Sequence, residues 1–211
     1  MIYIFLGPPG SGKGTQAKKL AEKLNLPHIA PGDMLRDAVK NETEIGKIAK
    51  QFIEFGKLVP DEVVINLTKE RVAKDDAKNG FIIDGFPRSA AQAEALEGII
   101  NNRPYQVIYI DVPLSAVVER NEGRLSCPVC GAVYHIKNRP PKVAGKCDKD
   151  GADLYQRKDD TKEIMVTRFQ AYNSSTVPLV AYYQKKNKIL KIDGNRNMDD
   201  VFSTLQAELK V

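Results

Sequence analysis

Gly7-Pro8-Pro9-Gly10-Ser11-Gly12-Lys13-Gly14-Thr15 is the stretch that decides the fold. An apolar run, Ile2-Tyr3-Ile4-Phe5-Leu6, precedes it, and a segment of helical period, Gln16 to Leu24, follows it. Strand, glycine-rich turn and helix start form the context of a phosphate-binding loop. Glycines let the chain wrap inward so that several backbone N–H groups converge on one anion. The helix that follows turns its positive end toward the same point, and Lys13 adds a full charge. The general pattern G-x-x-x-x-G-K-[ST] holds from Gly7 to Lys13. Gly14 then stands where a hydroxyl is usual, and Thr15 comes one residue later.

The chain of 211 residues has room for one domain with insertions. Its 42% hydrophobic and 28% charged residues suit a globular protein. A net charge of +5 points to anionic partners, but basic and acidic residues alternate without a lysine- or arginine-rich block. That distribution favours a cleft with a few placed arginines over a polyanion-binding stripe, so no nucleic-acid partner is expected. No run approaches a membrane span and no secretory leader is read at the start, so the expected compartment is cytoplasmic with no membrane partner. The three cysteines all lie between 127 and 147, an odd and clustered set that suits metal binding in a reducing compartment.

Strands are expected at 2–6, 27–30, 81–84, 106–112 and 188–193. Helices are expected at 13–24, from an Asp33 cap to about 39, at 45–53, 61–72, 89–101, 114–122, from 161 to about 186 with a break at Pro178, and at 198–210. Alternating strands and helices give an α/β fold: a parallel five-stranded sheet covered on both faces, with ligands beyond the carboxyl ends of the strands. Residues 1–29, 60–123 and 162–211 form the expected core. Residues 30–59 read as a helical insertion and 124–161 as an irregular one. Asp84 ends an apolar strand, where phosphate-loop proteins place a carboxylate near Mg²⁺.

Gly7 to Gln16, Gly32-Asp33-Met34-Leu35-Arg36 and Asp84-Gly85-Phe86-Pro87-Arg88 together resemble the adenylate kinases. Gln92, the Arg120…Arg124 spacing and Tyr155-Gln156-Arg157-Lys158-Asp159-Asp160 extend the resemblance along the chain in order. It implies Mg²⁺-dependent, reversible phosphoryl transfer from ATP to AMP, giving two ADP, by a protein monomeric by family default. Gly10, Ser11, Gly12, Lys13, Gly14 and Thr15, with Arg120, Arg124, Tyr134, His135 and Arg196, are then expected to bind ATP. Pro31, Gly32, Arg36, Leu58, Val59, Gly85, Arg88, Gln92, Arg157 and Arg168 are expected to bind AMP. Lys13, Arg88, Arg124, Arg157 and Arg168 would act on the transferring group, and Asp84 would hold Mg²⁺ through water. The residue types suit such a reaction. Two polyphosphates that repel each other must meet in line, and guanidinium groups are permanent, planar, bidentate donors.

The irregular insertion carries Cys127-Pro128-Val129-Cys130 and Cys147-Asp148-Lys149-Asp150, a spacing of Cys-x2-Cys-x16-Cys-x2-Asp. Two such turns form a tetrahedral metal site, with Asp150 where a fourth thiolate usually stands and His135 and Asp148 as competing ligands. The zinc-bearing adenylate kinases are similar, which implies a structural Zn²⁺ in a lid. Iron is the alternative metal for thiolate ligands.

Ala30-Pro31-Gly32-Asp33 departs from the family's Ser-Thr-Gly-Asp. Proline removes a hydroxyl and a backbone donor that would face the acceptor base, so other nucleoside monophosphates are expected to be tolerated. Asn121, Glu122 and Leu125 also depart from the usual residues near the lid. A UMP/CMP-type kinase is the nearest rival reading. A GTPase-like switch lacks an Asn-Lys-x-Asp motif, and a nucleic-acid-binding zinc ribbon lacks aromatic and basic interleaving.

Overall fold

The computed structural model describes all residues, 1–211. Its elements run β1 (Ile2–Leu6), α1 (Lys13–Leu24), β2 (His28–Ile29), α2 (Pro31–Lys40), α3 (Glu44–Ile53), α4 (Asp61–Val72), β3 (Phe81–Asp84) and α5 (Ala90–Ile100). There follow β4 (Tyr105–Asp111), α6 (Leu114–Glu122), β5 (Arg124–Ser126), β6 (Val133–His135), α7 (Lys162–Ala171), α8 (Val177–Lys185), β7 (Ile189–Asp193) and α9 (Met198–Leu209). Five strands form one sheet in the order β2-β3-β1-β4-β7, every pair parallel. All five residues of β1 are buried, as a central parallel strand with helices on both faces requires. Two apolar clusters flank the sheet. Ile2, Ile4, Leu6 and Ile83 face one, and Tyr3, Phe5, Ile82 and Ile108 face the other. The register sets Phe5 beside Asp84, which brings the β3 carboxylate to the sheet edge from which the loop 7–12 springs.

Most boundaries fall where the sequence pattern puts them; three differ for identifiable reasons. Helix α2 begins at Pro31 behind Ala30, with no side-chain cap. Proline at a first helical position lacks only an N–H that would be unpaired there anyway. Asp33 therefore lies inside the first turn and pairs with Arg36, so it does not cap the helix. The long helix is not broken at Pro178: a π-helical turn, Tyr172–Thr176, joins α7 to α8 just before that proline. Within the irregular segment 124–161, β5 and β6 form an antiparallel pair.

Helices α2 and α3 cross closely because Gly46 has no side chain. A Cβ there would collide with the Ala38 carbonyl group. The Thr43 hydroxyl caps α3 by accepting from Gly46 N–H at 3.1 Å, fixing the crossing from the same end. Gly46→Ala is expected to destabilise the protein by about 1–3 kcal/mol through overpacking, read as a lowered urea midpoint. An unchanged midpoint would show that the crossing has slack.

Candidate active site

Two cavities open along the carboxyl ends of the sheet. The larger encloses about 540 Å³ and is lined by Gly10, Ser11, Gly12, Lys13, Gly14, Thr15, Asp84, Arg120, Arg124, Tyr134, His135, Arg157 and Arg196, among others. The smaller, about 100 Å³, is lined by Pro31, Gly32, Arg36, Leu58, Val59, Gly85, Arg88, Gln92, Arg168, Tyr172 and Thr176, among others. Lys13, Gly32, Arg36, Arg88 and Arg168 line both. The cavities thus meet at a wall of four cations and one glycine. The family resemblance places Arg157 with the acceptor set, whereas the structure puts it on the larger cavity.

Ion pairing divides these cations into two kinds. Arg124 makes a two-pronged contact with Asp160, through Nε at 2.7 Å and through Nη2. Arg168 donates to Asp159 at 2.8 Å and reaches Asp160 at 3.4 Å. Arg36 donates to Asp33 at 2.6 Å, and Arg157 lies 3.5 Å from the same carboxylate. Lys13 and Arg88, by contrast, lean on backbone: Lys13 Nζ donates to the Pro8 carbonyl at 3.3 Å, and Arg88 Nε to the Gly85 carbonyl at 2.7 Å. Their charges are left for a ligand at the junction of the cavities.

The electrostatics carry the mark of this crowding. Burial pushes the Lys13 ammonium down to about 8; Arg88, Arg168 and Arg124 add repulsion while Asp84 opposes the shift. Burial likewise lowers Arg168 to about 10 against the pull of Asp159. Burial alone would raise the Asp33 carboxyl, but Arg36 and Arg157 outweigh it and hold the group well below the usual carboxylate range. Phosphate oxygens entering here would relieve the repulsion among the cations.

Asp84 sits behind the loop. A Cβ on Gly14 would come within 2.7 Å of its Oδ2, so the glycine in the hydroxyl position makes room for this carboxylate. Its Oδ1 is buried without a hydrogen-bond partner, and His28 Nε2 lies 3.8 Å from Oδ2, also unpartnered. A carboxylate set against a phosphate-binding loop through one oxygen, with the other buried and without a donor, suits a hydrated Mg²⁺. His28 carries no signal in the sequence, because only strand pairing brings it to Asp84. Asp33, Asp159 and Asp160 stand within the motifs, yet their role as partners of the arginines emerges only from the fold.

The segment 124–161 folds down over α1. Lys18 Nζ donates to the Gly131 carbonyl at 2.6 Å, and Lys149 lies 3.5 Å from Glu22. Its own core is the cysteine cluster. Residues 127–131 and 147–151 form matched turns: Cys127 N–H donates to Ala132 O and Cys147 N–H to Ala152 O, at 2.9 and 2.8 Å. Gly131 and Gly151 close the turns at φ +64° and +73°, a conformation that favours glycine. Asp150 therefore occupies in the second turn the place of Cys130 in the first.

Ligand atoms of Cys127, Cys130, Cys147 and Asp150 all lie within 4.8 Å of one another. Cys130 Sγ is 3.6 Å from Cys147 Sγ, and Cys127 Sγ 3.3 Å from Asp150 Oδ2. A tetrahedron of thiolates around Zn²⁺ has edges of about 3.7 Å, so this donor set fits the ion. Desolvation and the neighbouring Asp150 push the Cys130 thiol up to about 12, a proton affinity that a divalent cation would overcome. The other two candidate ligands are engaged elsewhere. His135 Nδ1 accepts from Lys137 and Asn138 N–H, and its Nε2 lies 3.3 Å from the Glu119 carbonyl. Asp148 Oδ1 accepts from Lys142 N–H.

Comparison with known proteins agrees with this geometry. The family model described as adenylate kinase matches residues 5–188. The chain is 49% identical to the adenylate kinase of Archaeoglobus fulgidus, covering 100% of this chain and 98% of that one. Against the adenylate kinase of Listeria monocytogenes it is 49% identical over 99% of both chains. Against that of Thermoanaerobacter sp. (strain X514) it is 46% identical over 99% of this chain and 98% of the relative. A phosphate loop, a junction of paired and unpaired cations between two cavities, and relatives alike from end to end lead to one statement: the chain belongs to the adenylate kinase family.

Proposed function

We infer that the protein transfers a phosphoryl group reversibly between ATP and AMP, giving two ADP, with Mg²⁺ accompanying ATP. The observation that carries this reading is the pair Lys13 and Arg88 at the junction of the cavities, cationic and without carboxylate partners. We assign ATP to the larger cavity and AMP to the smaller. Lys13 and the loop amides then orient the donor phosphates, while Arg36 and Arg88 hold the acceptor phosphate in line. Arg124, Arg157 and Arg168 meet the charge that spreads over the transferred group's oxygens. Asp33, Asp159 and Asp160 keep these three and Arg36 folded inward before substrate arrives. Arg120, which approaches the Ser11 and Arg196 carbonyls at 3.5 Å, offers its guanidinium face to the donor base. No side chain is needed as a general base, because alignment and charge supply most of the acceleration.

Residues 30–59 and 124–161 act, on this reading, as units that close over a core of 1–29, 60–123 and 162–211 and shut out water. The Cys127, Cys130, Cys147 and Asp150 set would hold a structural Zn²⁺, which when bound braces the segment 124–161 and leaves no open position for chemistry. No helix is long and apolar enough to cross a membrane. We read the protein as cytoplasmic, since the thiols are free and their spacing is that of a metal site, and as a monomer by the family default alone.

Pro31 lines the acceptor cavity and offers neither a hydroxyl nor an N–H. We propose that acceptor selection is consequently looser than in family members with Ser-Thr at these positions.

A coupled assay should detect ADP from ATP and AMP, and Lys13→Ala should lower kcat by about 100-fold or more. A Lys13→Ala enzyme with undiminished turnover would overturn the assignment. Initial rates with AMP, CMP, UMP and GMP should show at least one secondary acceptor. Pro31→Thr should raise the preference for AMP by about tenfold, the worth of one hydrogen bond; a strict AMP preference in the unaltered protein would refute the looser selection. Purified protein should carry close to one equivalent of zinc, and chelation or Cys127→Ser should lower Tm by several degrees. A metal-free protein with unchanged Tm would remove the structural metal from the account.

A further inference from the structure

The acceptor cavity contains one side chain whose polarity could be reversed without changing its shape. Gln92 is buried, with only 2% of its surface exposed, and it lines the smaller cavity. An amide turned end over end exchanges acceptor for donor, and with it the edge of a base that the amide would match. Two groups prevent that turn, and a third holds one of them in place. Arg88 N–H, a donor only, gives to Gln92 Oε1 at 2.8 Å. Gln92 Nε2 gives to Asp61 Oδ1 at 2.7 Å, and a carboxylate can only accept. The other Asp61 oxygen accepts from the Ser89 hydroxyl at 2.8 Å, while Ser89 Oγ accepts Gln92 N–H at 3.2 Å as the cap of α5. Reversing the amide would set N–H against N–H at Arg88 and oxygen against oxygen at Asp61.

We propose that Asp61 is a specificity-determining, positioning residue for the acceptor base. By fixing the Gln92 carboxamide it leaves one oxygen lone pair and one N–H in a set order for the cavity. Because AMP is the acceptor on the adenylate kinase reading, that fixed order is assigned to a base edge on which an exocyclic amine stands beside an unprotonated ring nitrogen. Adenine and cytosine present such an edge. Hypoxanthine, guanine and uracil present the reverse, a carbonyl beside a ring N–H. The loosening that Pro31 brings therefore extends to a second amino base, CMP, and stops at the oxo bases. The inference rests on the adenylate kinase reading and adds to it a residue that touches neither phosphate nor Lys13.

The Arg88 backbone ties this lock to the reacting end of the site. Its N–H holds the amide, and its carbonyl accepts from the Thr176 hydroxyl at 2.9 Å, at the end of the π-helical turn. Asp61 in turn opens α4, directly after the stretch 30–59.

The test compares AMP with IMP, which differ only in the edge concerned. In the unaltered protein, kcat/KM for AMP should exceed that for IMP by about 1000-fold or more. Asp61→Ala removes the acceptor of the Gln92 Nε2 bond, so that a turned amide is opposed only at the Arg88 N–H. The AMP:IMP ratio should fall at least tenfold while KM for ATP stays constant. A general loss of structure would lower both acceptors alike and leave the ratio standing. An unchanged ratio in a folded Asp61→Ala protein overturns the proposal. Should that variant not fold, the unaltered protein still decides: CMP must outpace UMP by at least tenfold, and equal rates overturn the proposal. Turnover of IMP but none of AMP would likewise defeat it. Absence of turnover with every monophosphate, AMP included, would instead strike down the kinase reading and this inference together.

Discussion

Like charges gathered at one point are the constraint on which the rest of this structure depends. Lys13, Arg36, Arg88 and Arg168 share the wall between two cavities, with Arg124 and Arg157 beside them. Left alone, such a cluster would repel itself and suffer desolvation as well, which the lowered Lys13 and Arg168 values register. The chain answers with three carboxylates, Asp33, Asp159 and Asp160, set against Arg36, Arg157, Arg168 and Arg124. It leaves Lys13 and Arg88 to backbone oxygens. Compensation is thus partial by construction, and the remaining positive charge lies where two phosphate chains would meet.

Each large feature of the fold serves that arrangement. The parallel sheet brings Asp84, the loop 7–12 and the start of α1 to one edge, because β1 and β3 pair in register. The close crossing of α2 over α3 at Gly46 carries Arg36 to the smaller cavity. The π-helical turn before Pro178 sets Thr176 on the Arg88 carbonyl, and Gln92 of α5 takes the Arg88 N–H, so the backbone that carries this cation is held from two helices. The segment 124–161 brings Arg124 and Arg157 to the larger cavity, which the loop also lines.

Much of this is legible in the sequence because phosphate binding needs particular residues at fixed local spacing. Gly7 to Thr15 is read from one turn of chain, and the two metal-type turns from their matched Cys-x2-Cys and Cys-x2-Asp spacing. What escapes depends on contacts between distant segments. Asp33 can cap a helix or pair with Arg36, and only the proline start of α2 decides for pairing. His28 meets Asp84 across a strand pair, and Asp61 meets Gln92 across 31 residues. Resemblance groups Arg157 with the acceptor cavity, yet its position follows from Ser126, to which its Nε donates at 3.1 Å. The π-helical turn leaves only Pro178 as a trace, and that trace points a few residues too far along.

The most direct measurement of the central claim is a crystal structure of the protein bound to two adenosines joined through five phosphates. The account predicts one adenosine in each cavity, with the phosphate chain passing between Lys13 and Arg88 and within hydrogen-bond distance of both. A chain lying elsewhere, or both adenosines in the larger cavity with Arg88 still on Gly85, would contradict it.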